Sequence, residues 1–323
     1  MTAMDPSRDG RFAPSPTGAL HLGNLRTALA AWLRARSSGA RFTLRIDDLD
    51  PDRSRPEHER GQRADLAALG IDWDDEPVRQ SDRLARYHEA LARLAADHAT
   101  YPCFCTRAEV LAAASAPHGR GVEAPYPGTC ERMSTADANR RIDAGDPFCI
   151  RARAGAATIG FDDLLQGRVE EVVDDFIVRR RDGVPAYNLA SPIDESDLRV
   201  GEVVRGADLA PTTPRQLWIA ERLDLHVPRF AHLPLVVGDD GERLAKRHGP
   251  ADLQTLAQHG WSTSDVLTWL ADSLGDAVAP RDSQPRDAAD LVDGFRLERL
   301  PAEAFTVAGP AGGSSSPRNG SDL

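Results

Sequence analysis

The sequence predicts an α/β fold built on a doubly wound parallel sheet, and three observations lead to that prediction. The first hundred residues alternate between short strands and amphipathic helices, which is typical of a parallel sheet that binds ligands at the carboxyl ends of its strands. The alternation stops over residues 101–175, and this interruption predicts an inserted subdomain. With 323 residues, 41% of them hydrophobic, the chain has enough apolar material for a sizeable core.

The first elements follow from the spacing of apolar residues. Residues 11–14 predict a short strand, and a loop rich in Pro and Gly follows up to Asn24. An amphipathic helix comes next, ended by Ser38 and Gly39, and Phe42–Ile46 alternates apolar and polar residues as a strand does. A further helix is predicted around residues 84–95. The apolar faces of the two helices are Leu25, Ala28, Leu29, Trp32 and Leu33 in the first, and Leu84, Tyr87, Leu91, Leu94 and Ala95 in the second.

Strand and turn signals return after the interruption. Residues 176–209 predict strands and turns, including a turn at residues 181–183. A helix is predicted over residues 214–223, a strand over 233–237 and a turn over 238–241. Residues 252–300 predict a helical region, and the composition of the tail from residue 307 is typical of disorder.

The charge balance limits how the protein meets its partners. The formal net charge is −11, so a nucleic-acid partner must contact a local basic patch and not the whole surface. The best short cluster is Arg179-Arg180-Arg181, although such a run is often only a solvated turn. No apolar run approaches a membrane span, and the first residues lack the profile of a secretion signal, so we expect a cytoplasmic protein with no membrane partner.

The basic residues include only one lysine. Every other basic residue is arginine, and Lys246 stands alone. Lys246 would be explained by a site that requires a compact, mobile ammonium and cannot use a guanidinium, because the two groups differ in hydration and geometry. Chance retention on a solvated face is the alternative.

A nucleotide-binding pattern lies between the first strand and the first helix. Neither a Walker P-loop nor a GxGxxG motif occurs, but residues 11–24 read RFAPSPTGALHLGN and run directly into the helix. A helix start offers unpaired N–H groups to an anion, Gly23 lets a ligand approach the backbone, and His21 can donate to a phosphate. Alone, the His-x-Gly pattern indicates no more than a turn with a surface histidine.

Cysteine spacing points to a metal. Cys103 and Cys105 are one residue apart, and Cys130 follows in the segment YPGTC. In a reducing compartment this spacing favours a metal over a disulfide, although three unrelated thiols are also possible. Cys149 is predicted to be simply buried.

The whole pattern resembles the class I aminoacyl-tRNA synthetases. Residues 11–24 resemble their first signature in the form used by the glutamyl subgroup, and the blocks at 45–50, 186–190, 204–209 and 243–247 follow in the family's order. The resemblance implies a Rossmann-like sheet of the class I synthetase type. In the second signature, Arg243 and Ala245 stand where the family usually has lysine and serine.

Chain length distinguishes subgroups of that family. A full glutamyl-tRNA synthetase carries a large C-terminal region that reads the anticodon, whereas here the similar part ends near residue 300. This is similar to the glutamyl-Q tRNA(Asp) synthetases, which activate glutamate and attach it to queuosine in the anticodon loop. Two alternatives remain: a shortened glutamyl-tRNA synthetase that charges a 3′ end, and an inactive paralogue that binds glutamate or tRNA.

The resemblance implies a role for each matching residue. It implies L-glutamate, ATP with Mg²⁺, and tRNA(Asp) carrying queuosine as partners of a monomer, with one structural Zn²⁺. The domains would be the two halves of a nucleotide-binding catalytic domain at 1–100 and 176–250, a zinc subdomain at 101–175, a helical stem-contact region at 251–306 and a disordered tail at 307–323. The implied residues are His21, Gly23 and Lys246 for catalysis; the same three with Asn24 for ATP; Arg11, Phe12, Ala13, Pro14, Ser15, Asp47, Tyr187 and Arg205 for glutamate; and Cys103, Cys105, Tyr126 and Cys130 for zinc, with His118 as the alternative fourth ligand.

Overall fold

The computed structural model describes residues 6–113, 126–238, 240–242 and 252–307. His118, the 243–247 block with Lys246, and residues 308–323 of the predicted tail lie outside the described residues, whereas Val307, predicted to begin that tail, ends a strand. Within the described ranges, no helix combines the length and the apolar character that crossing a bilayer requires.

The N-terminal part forms a three-stranded parallel sheet covered by helices. Its strands pair in the order β1-β2-β3, with Arg11 opposite Thr43. The predicted first helix and second strand are confirmed, whereas α2 was not predicted. The elements are β1 (Gly10–Phe12), α1 (Leu22–Arg36), β2 (Phe42–Ile46), α2 (Pro56–Ala68), β3 (Val78–Arg79) and α3 (Leu84–Ala96).

The middle of the chain breaks the parallel pattern, as the sequence indicates. Strands β4, β5 and β8 form an antiparallel sheet, while β6 and β7 form a hairpin. The hairpin reaches back to the main body, since Asp163 of β6 pairs in parallel with Phe230. The elements are β4 (Thr100–Cys103), α4 (Arg107–Ala113), α5 (Thr135–Asp143), β5 (Cys149–Ala152), β6 (Ala157–Asp163), β7 (Gly167–Val173) and β8 (Ile177–Arg179).

The second part of the main body adds two parallel strands. β9 and β10 pair in parallel, and the N–H groups of Gly201 and Glu202 donate to the carbonyl of Asp9 just before β1. β1 and β9 therefore lie side by side, and the chain winds outward from them in both directions. This confirms the predicted doubly wound parallel sheet. The elements are α6 (Tyr187–Asp197), β9 (Glu202–Gly206), α7 (Thr213–Leu223), β10 (Arg229–Leu233) and β11 (Val236–Gly238).

The C-terminal part is less helical than predicted. Only α8 (Leu253–Gln258) and α9 (Thr263–Ser273) are α-helices here, and short 3₁₀ turns at 275–277, 288–291 and 297–299 follow. Pro280 and Pro285 lack the N–H that a continuous helix needs. The chain then returns to the main body, because β12 (Phe305–Val307) pairs in parallel with β11.

Helix α1 lies at the centre of the main core. Its predicted apolar face is buried, with Leu25, Leu29 and Leu33 fully inaccessible, and α9 packs against it through Val266, Leu267 and Leu270. The prediction for α3 holds only in part. Tyr87 and Leu94 are buried, whereas Leu84 is 40% exposed and Ala95 is exposed.

Candidate functional site

A cavity of about 400 Å³ opens where the sheet winds in two directions. Residues that follow β1, β9 and β10 line it, which is where ligands bind in open α/β sheets. The structure brings together ten of the residues that the sequence implicates. They are Arg11, Phe12, Ala13, Pro14, Ser15, His21, Gly23, Asn24, Tyr187 and Arg205.

The cavity meets the N-terminus of α1. His21 is the N-cap: its Nδ1 accepts the Asn24 N–H at 3.2 Å, and its own N–H donates to Asn24 Oδ1 at 3.2 Å. Because Nδ1 is the acceptor, the neutral ring carries its proton on Nε2. A Cβ on Gly23 would come within 3.1 Å of the His21 ring, so only glycine fits without displacing it. This helix start suits an anion.

Gln62 fixes the loop before that helix, and sequence reasoning missed it. Its Nε2 donates to the carbonyls of Ser15 at 3.0 Å and Gly18 at 2.8 Å. The side chain is 2% exposed and lines the cavity, and its buried Oε1 has no hydrogen-bond partner among the described residues. Gln62 therefore holds the shape of the first signature. Nothing in the pattern of the charged helix α2 marks this residue.

Arg11 is a buried cation at the floor of the cavity. Its guanidinium donates to Glu195 Oε1 at 3.1 Å and to the Val204 carbonyl at 3.2 Å, while its buried Nε has no partner in the described part of the chain. Burial lowers the pKa of Arg11, and Glu195 opposes that effect. Arg11 thus keeps donor capacity for a ligand carboxylate.

Asp47 lies beside the cavity but does not line it. Its N–H donates to the Pro14 carbonyl at 3.0 Å, which ties it to the signature loop. Its carboxylate accepts from Arg45 Nε at 2.7 Å and Nη2 at 3.2 Å. Asp47 is therefore engaged by a neighbouring residue of β2, and its pairing with a substrate ammonium stays a prediction.

Arg205 is held by side chains from two helices. Its Nη1 donates to Tyr187 Oη at 3.2 Å and to Gln216 Oε1 at 2.9 Å, and its Nη2 donates to Thr213 Oγ1 at 2.7 Å. The side chain is buried, and it lines the cavity together with Tyr187. The guanidinium is thus fixed in one orientation beside the cavity.

A buried histidine supports Arg205 from behind, and sequence reasoning missed it. The Arg205 Nε–H donates to His232 Nε2 at 3.1 Å, and His232 Nδ1 lies 2.6 Å from Asp163 Oδ2. Both side chains of the His232–Asp163 pair are 0% exposed. Burial lowers the pKa of His232, and Asp163 opposes that effect. The neutral ring donates through Nδ1 to Asp163 and accepts through Nε2 from Arg205.

Arg26 joins α1 to the cavity-lining residue Pro234 and to the end of α9, and sequence reasoning missed this residue. Its Nη1 donates to the Pro234 carbonyl at 2.6 Å, and its Nη2 donates to the Ser273 carbonyl at 3.1 Å. Burial lowers its pKa to about 10. Because Ser273 ends α9, the negative end of that helix stabilises the cation.

The described residues on either side of the 243–247 block lie next to this cavity. Asp252 forms an antiparallel bridge with His21. On the other side, the Gly238 N–H donates to the Glu242 carbonyl at 2.8 Å, at the end of β11, whose Val236 lines the cavity. Asp252 and β11, which lie on either side of residues 243–251 in the chain, are therefore both beside the cavity.

A second cluster gathers three thiols and a phenol. The sulfurs of Cys103, Cys105 and Cys130 all lie within 4.8 Å of one another, with Cys105 and Cys130 3.5 Å apart. Tyr126 Oη lies 3.4 Å from Cys103 Sγ and 3.6 Å from Cys105 Sγ. Tetrahedral zinc sites have edges of about 3.5–3.8 Å between such donors. This cluster can hold a metal ion, and its donors fit Zn²⁺.

Two further residues support the cluster. Cys149 is buried as predicted, and its thiol donates to the Cys103 carbonyl at 3.5 Å. Arg151 Nε donates to Cys103 Sγ at 3.3 Å, and its guanidinium lies 3.8 Å from the centre of the Tyr126 ring. A cation in this position offsets the negative charge of thiolate ligands.

Comparisons with known proteins agree with this geometry. The family model of the class I tRNA synthetases (E and Q), catalytic domain, matches residues 9–270. A glutamyl-Q tRNA(Asp) synthetase from Nocardia farcinica is 49% identical, and the match covers 92% of each chain. A glutamate–tRNA ligase from Geobacter sulfurreducens is 40% identical, and the match covers 90% of this chain and 61% of the ligase.

A solved structure shares the fold. The glutamate–tRNA synthetase of Elizabethkingia anophelis superposes with a TM-score of 0.78 at 25% identity, over 92% of this chain and 67% of that one. The chain therefore spans about two thirds of that structure's length. The match supports the class I synthetase fold that the sequence predicts.

Proposed function

The chain belongs to the class I tRNA synthetases of the glutamate and glutamine family, and from that membership we propose that it transfers activated L-glutamate to queuosine in the anticodon loop of tRNA(Asp). The enzyme class is a tRNA synthetase-like ligase that activates glutamate. In the first step, the glutamate carboxylate attacks the α-phosphate of ATP, which gives glutamyl-adenylate and pyrophosphate. In the second, a hydroxyl of the acceptor nucleoside attacks the activated carbonyl, and AMP leaves.

One observation carries the proposal: the start of α1 meets Asp252 and β11, which lie on either side of residues 243–251, at one cavity. The N-terminal N–H groups of α1 and the His21 ring offer donors to a polyphosphate. Asp252 pairs with His21 and Val236 of β11 lines the cavity, so described residues on both sides of the segment with Lys246 lie beside the proposed phosphate site. We infer that Lys246 follows the departing pyrophosphate while His21 donates to the α-phosphate. Mg²⁺ would accompany ATP and offset its charge.

The cations of the cavity support a dicarboxylic amino acid. Arg11 retains a buried Nε without a protein partner in the described part of the chain, and Arg205 is fixed by four side chains. Two oriented guanidiniums can bind one carboxylate strongly and in a defined position. We propose that they hold the side-chain carboxylate of glutamate, together with Tyr187.

The choice of acceptor rests on the relatives. The chain matches 92% of a protein named for the glutamyl-Q tRNA(Asp) reaction but only 61% of a glutamate–tRNA ligase. A ligase that charges a 3′ end is therefore the second candidate. Product analysis separates the two: with glutamate and ATP, the label should appear on tRNA(Asp) that carries queuosine and be absent from the same tRNA without it. Equal labelling of both tRNAs would support 3′ charging.

Glutamate activation is tested without any tRNA. We expect ATP–pyrophosphate exchange that depends on glutamate, reduced at least a hundredfold in Lys246→Ala because a charge on the triphosphate goes unneutralised. Lys246→Arg is the matched control, because it keeps the positive charge but replaces the compact ammonium with a guanidinium. We expect it to recover only part of the exchange activity. Full exchange in Lys246→Ala would remove Lys246 from the reaction. No exchange in the unaltered protein would favour an inactive paralogue that only binds glutamate or tRNA.

For the metal, we propose a structural Zn²⁺ held by Cys103, Cys105, Cys130 and Tyr126. The Tyr126 Oη lies as close to two of the sulfurs as the sulfurs of Cys105 and Cys130 lie to each other, which supports it as the fourth donor. All four protein donors would be used, so the ion would have no open position for chemistry. Its role would be to hold the antiparallel part of the chain together.

A further inference from the structure

A second cavity, of about 490 Å³, lies between the antiparallel sheet of β4, β5 and β8 and helix α7. We propose that it binds one unpaired nucleotide of the tRNA, phosphate and base together. This inference rests on the proposed function and adds the surface on which the RNA lies. The arginines that line the cavity are Arg107, Arg151, Arg180, Arg181 and Arg215, and its apolar residues include Val110, Phe176 and Ile177.

The cavity carries an excess of positive charge in an acidic protein. Two of its arginines are neutralised, since Arg180 pairs with Asp182 at 2.6 Å and Arg215 pairs with Asp174 at 2.8 Å. Arg181 instead donates to the carbonyl of Phe104 at 2.6 Å. Because the whole chain has a net charge of −11, such a local excess is where a polyanion would make contact.

Three arginines have no carboxylate partner within the described ranges. Arg107 on α4 is exposed and forms no ion pair there, and Arg181 is exposed beyond its one carbonyl contact. Arg151 donates to a sulfur and to the carbonyl of Asp175. Arg107 and Arg181 are therefore available to a phosphate, which a guanidinium binds through two parallel hydrogen bonds.

The shape and lining favour a single strand over a duplex. A recess of this size admits one nucleotide, whereas the backbone of a duplex stays outside it. Apolar side chains that line the recess can contact a splayed-out base, while its exposed arginines, Arg107 and Arg181, contact the phosphate. Proteins read unpaired loops of RNA in this way, with bases turned outward and packed against side chains.

Helix α7 lies between the two cavities and contacts residues of both. Thr213 and Gln216 on α7 bind Arg205 of the first cavity, whereas Arg215 lines the second. The segment that connects β8 to α6 also reaches both cavities, because Arg180 and Arg181 line the second cavity and Tyr187 lines the first. An RNA loop with one nucleotide in the second cavity would therefore present a nearby nucleotide to the first.

The test uses the full chain and purified tRNA(Asp), with affinity measured over a range of salt concentrations. We expect Arg107→Ala/Arg181→Ala to raise the Kd at least tenfold and to reduce the slope of log K against log salt by about 0.7, because the phosphate contact of the bound nucleotide is lost. Arg107→Lys/Arg181→Lys keeps the charge and should recover most of the affinity. Melting temperature and zinc content check that each variant folds.

Arg41→Ala is the matched control, since that side chain is 48% exposed just before β2 and lies outside this cavity. We expect its Kd to equal that of the unaltered protein. A double alanine variant that is folded and binds tRNA(Asp) within twofold of the unaltered protein at every salt concentration would overturn the inference. Glutamate-dependent pyrophosphate exchange by the unaltered protein tests the proposed function separately, so the two can fail independently.

Discussion

His232 accepts the Nε–H of Arg205 at 3.1 Å, and both side chains are buried. This contact needs a neutral imidazole, because a protonated ring would have no acceptor and would face a guanidinium. Asp163 fixes the required tautomer by accepting from Nδ1. A residue of β10 and a residue of β6 thus determine how an arginine of β9 points into the cavity.

Replacing His232 should affect glutamate binding more than ATP binding. The loss of a buried hydrogen bond to a charged group costs about 1.5–3 kcal/mol, so we expect His232→Phe to raise the KM for glutamate about 10- to 100-fold. The KM for ATP should change little, which a general loss of structure would not produce. His232→Gln supplies an amide oxygen and should recover part of the effect, and the exposed His88→Phe is the control.

Retention of the normal glutamate KM in folded His232→Phe would show that Tyr187, Gln216 and Thr213 alone orient Arg205. Both KM values are read from ATP–pyrophosphate exchange, so one assay separates the two outcomes. The comparison is made at pH 8, where the imidazole of the unaltered protein is neutral.

The same pair predicts how stability depends on pH. Burial lowers the pKa of His232 in the folded protein below its ordinary value of 6.5, and Arg205 and Arg11 act in the same direction while Asp163 opposes them. The unfolded chain therefore takes up a proton first as the pH falls. The free energy of unfolding should be fully retained above about pH 6.5 and decrease below it.

Urea unfolding between pH 5 and 8 measures this effect, with His232→Gln as the reference because its amide does not titrate. The difference in the free energy of unfolding between the two proteins should change with pH below about 6.5. A constant difference over the whole range would mean that His232 has the same pKa in both states. Groups that titrate elsewhere cancel in the comparison.

The fold prediction succeeded for helices and strands that have one apolar side and one polar side. Helix α1 and strand β2 were predicted because their apolar residues are regularly spaced. Helix α2 was missed because only Glu59, Gln62 and Leu66 of its thirteen residues are buried, so it has no apolar stripe. Helix α6 was missed because Pro192 lies inside it and buried residues surround its axis.

The site prediction shows a related limit. Residues 11–24 are contiguous, so the motif could be recognised without knowledge of the fold. His232 and Asp163 are 69 positions apart in sequence and meet only because β6 pairs with β10. Glu195 meets Arg11 over 184 positions. Nothing local distinguishes these residues from other charged or polar residues, so only the folded sheet reveals them.

Removing a single thiol should test the metal site. We expect one zinc per chain in the purified protein and loss of that zinc in Cys130→Ser, because the hydroxyl is a much poorer ligand than a thiolate. Cys149→Ser is the matched control, since its sulfur donates to a carbonyl and is not one of the clustered donors. Chelation should lower the melting temperature of the unaltered protein, because the cluster joins β4 to the segment around Tyr126.

Tyr126→Phe then distinguishes the fourth ligand. If the phenol binds zinc, a competing chelator should remove the ion at lower concentration from Tyr126→Phe than from the unaltered protein. His118→Ala, which alters the alternative ligand, should leave the affinity unchanged. The reverse pattern would assign the fourth position to His118.

Gly23→Ala should reduce activation without unfolding the protein. A Cβ at position 23 would lie 3.1 Å from Cε1 and Nδ1 of the His21 ring, so the ring must move or give up its bond to the Asn24 N–H. Loss of an N-cap costs about 1 kcal/mol, which leaves the chain folded. Displacement of a donor at the α-phosphate is more costly to the reaction, and we expect kcat for glutamate-dependent exchange to fall at least tenfold.

Gly61→Ala is the matched control because nothing lies within 4 Å of its added Cβ in α2. Since alanine favours a helix interior over glycine by about 0.5–1 kcal/mol, Gly61→Ala should melt slightly higher and keep full activity. Equal kcat in both variants would mean that the His21 ring tolerates the shift and that its exact position does not limit the rate.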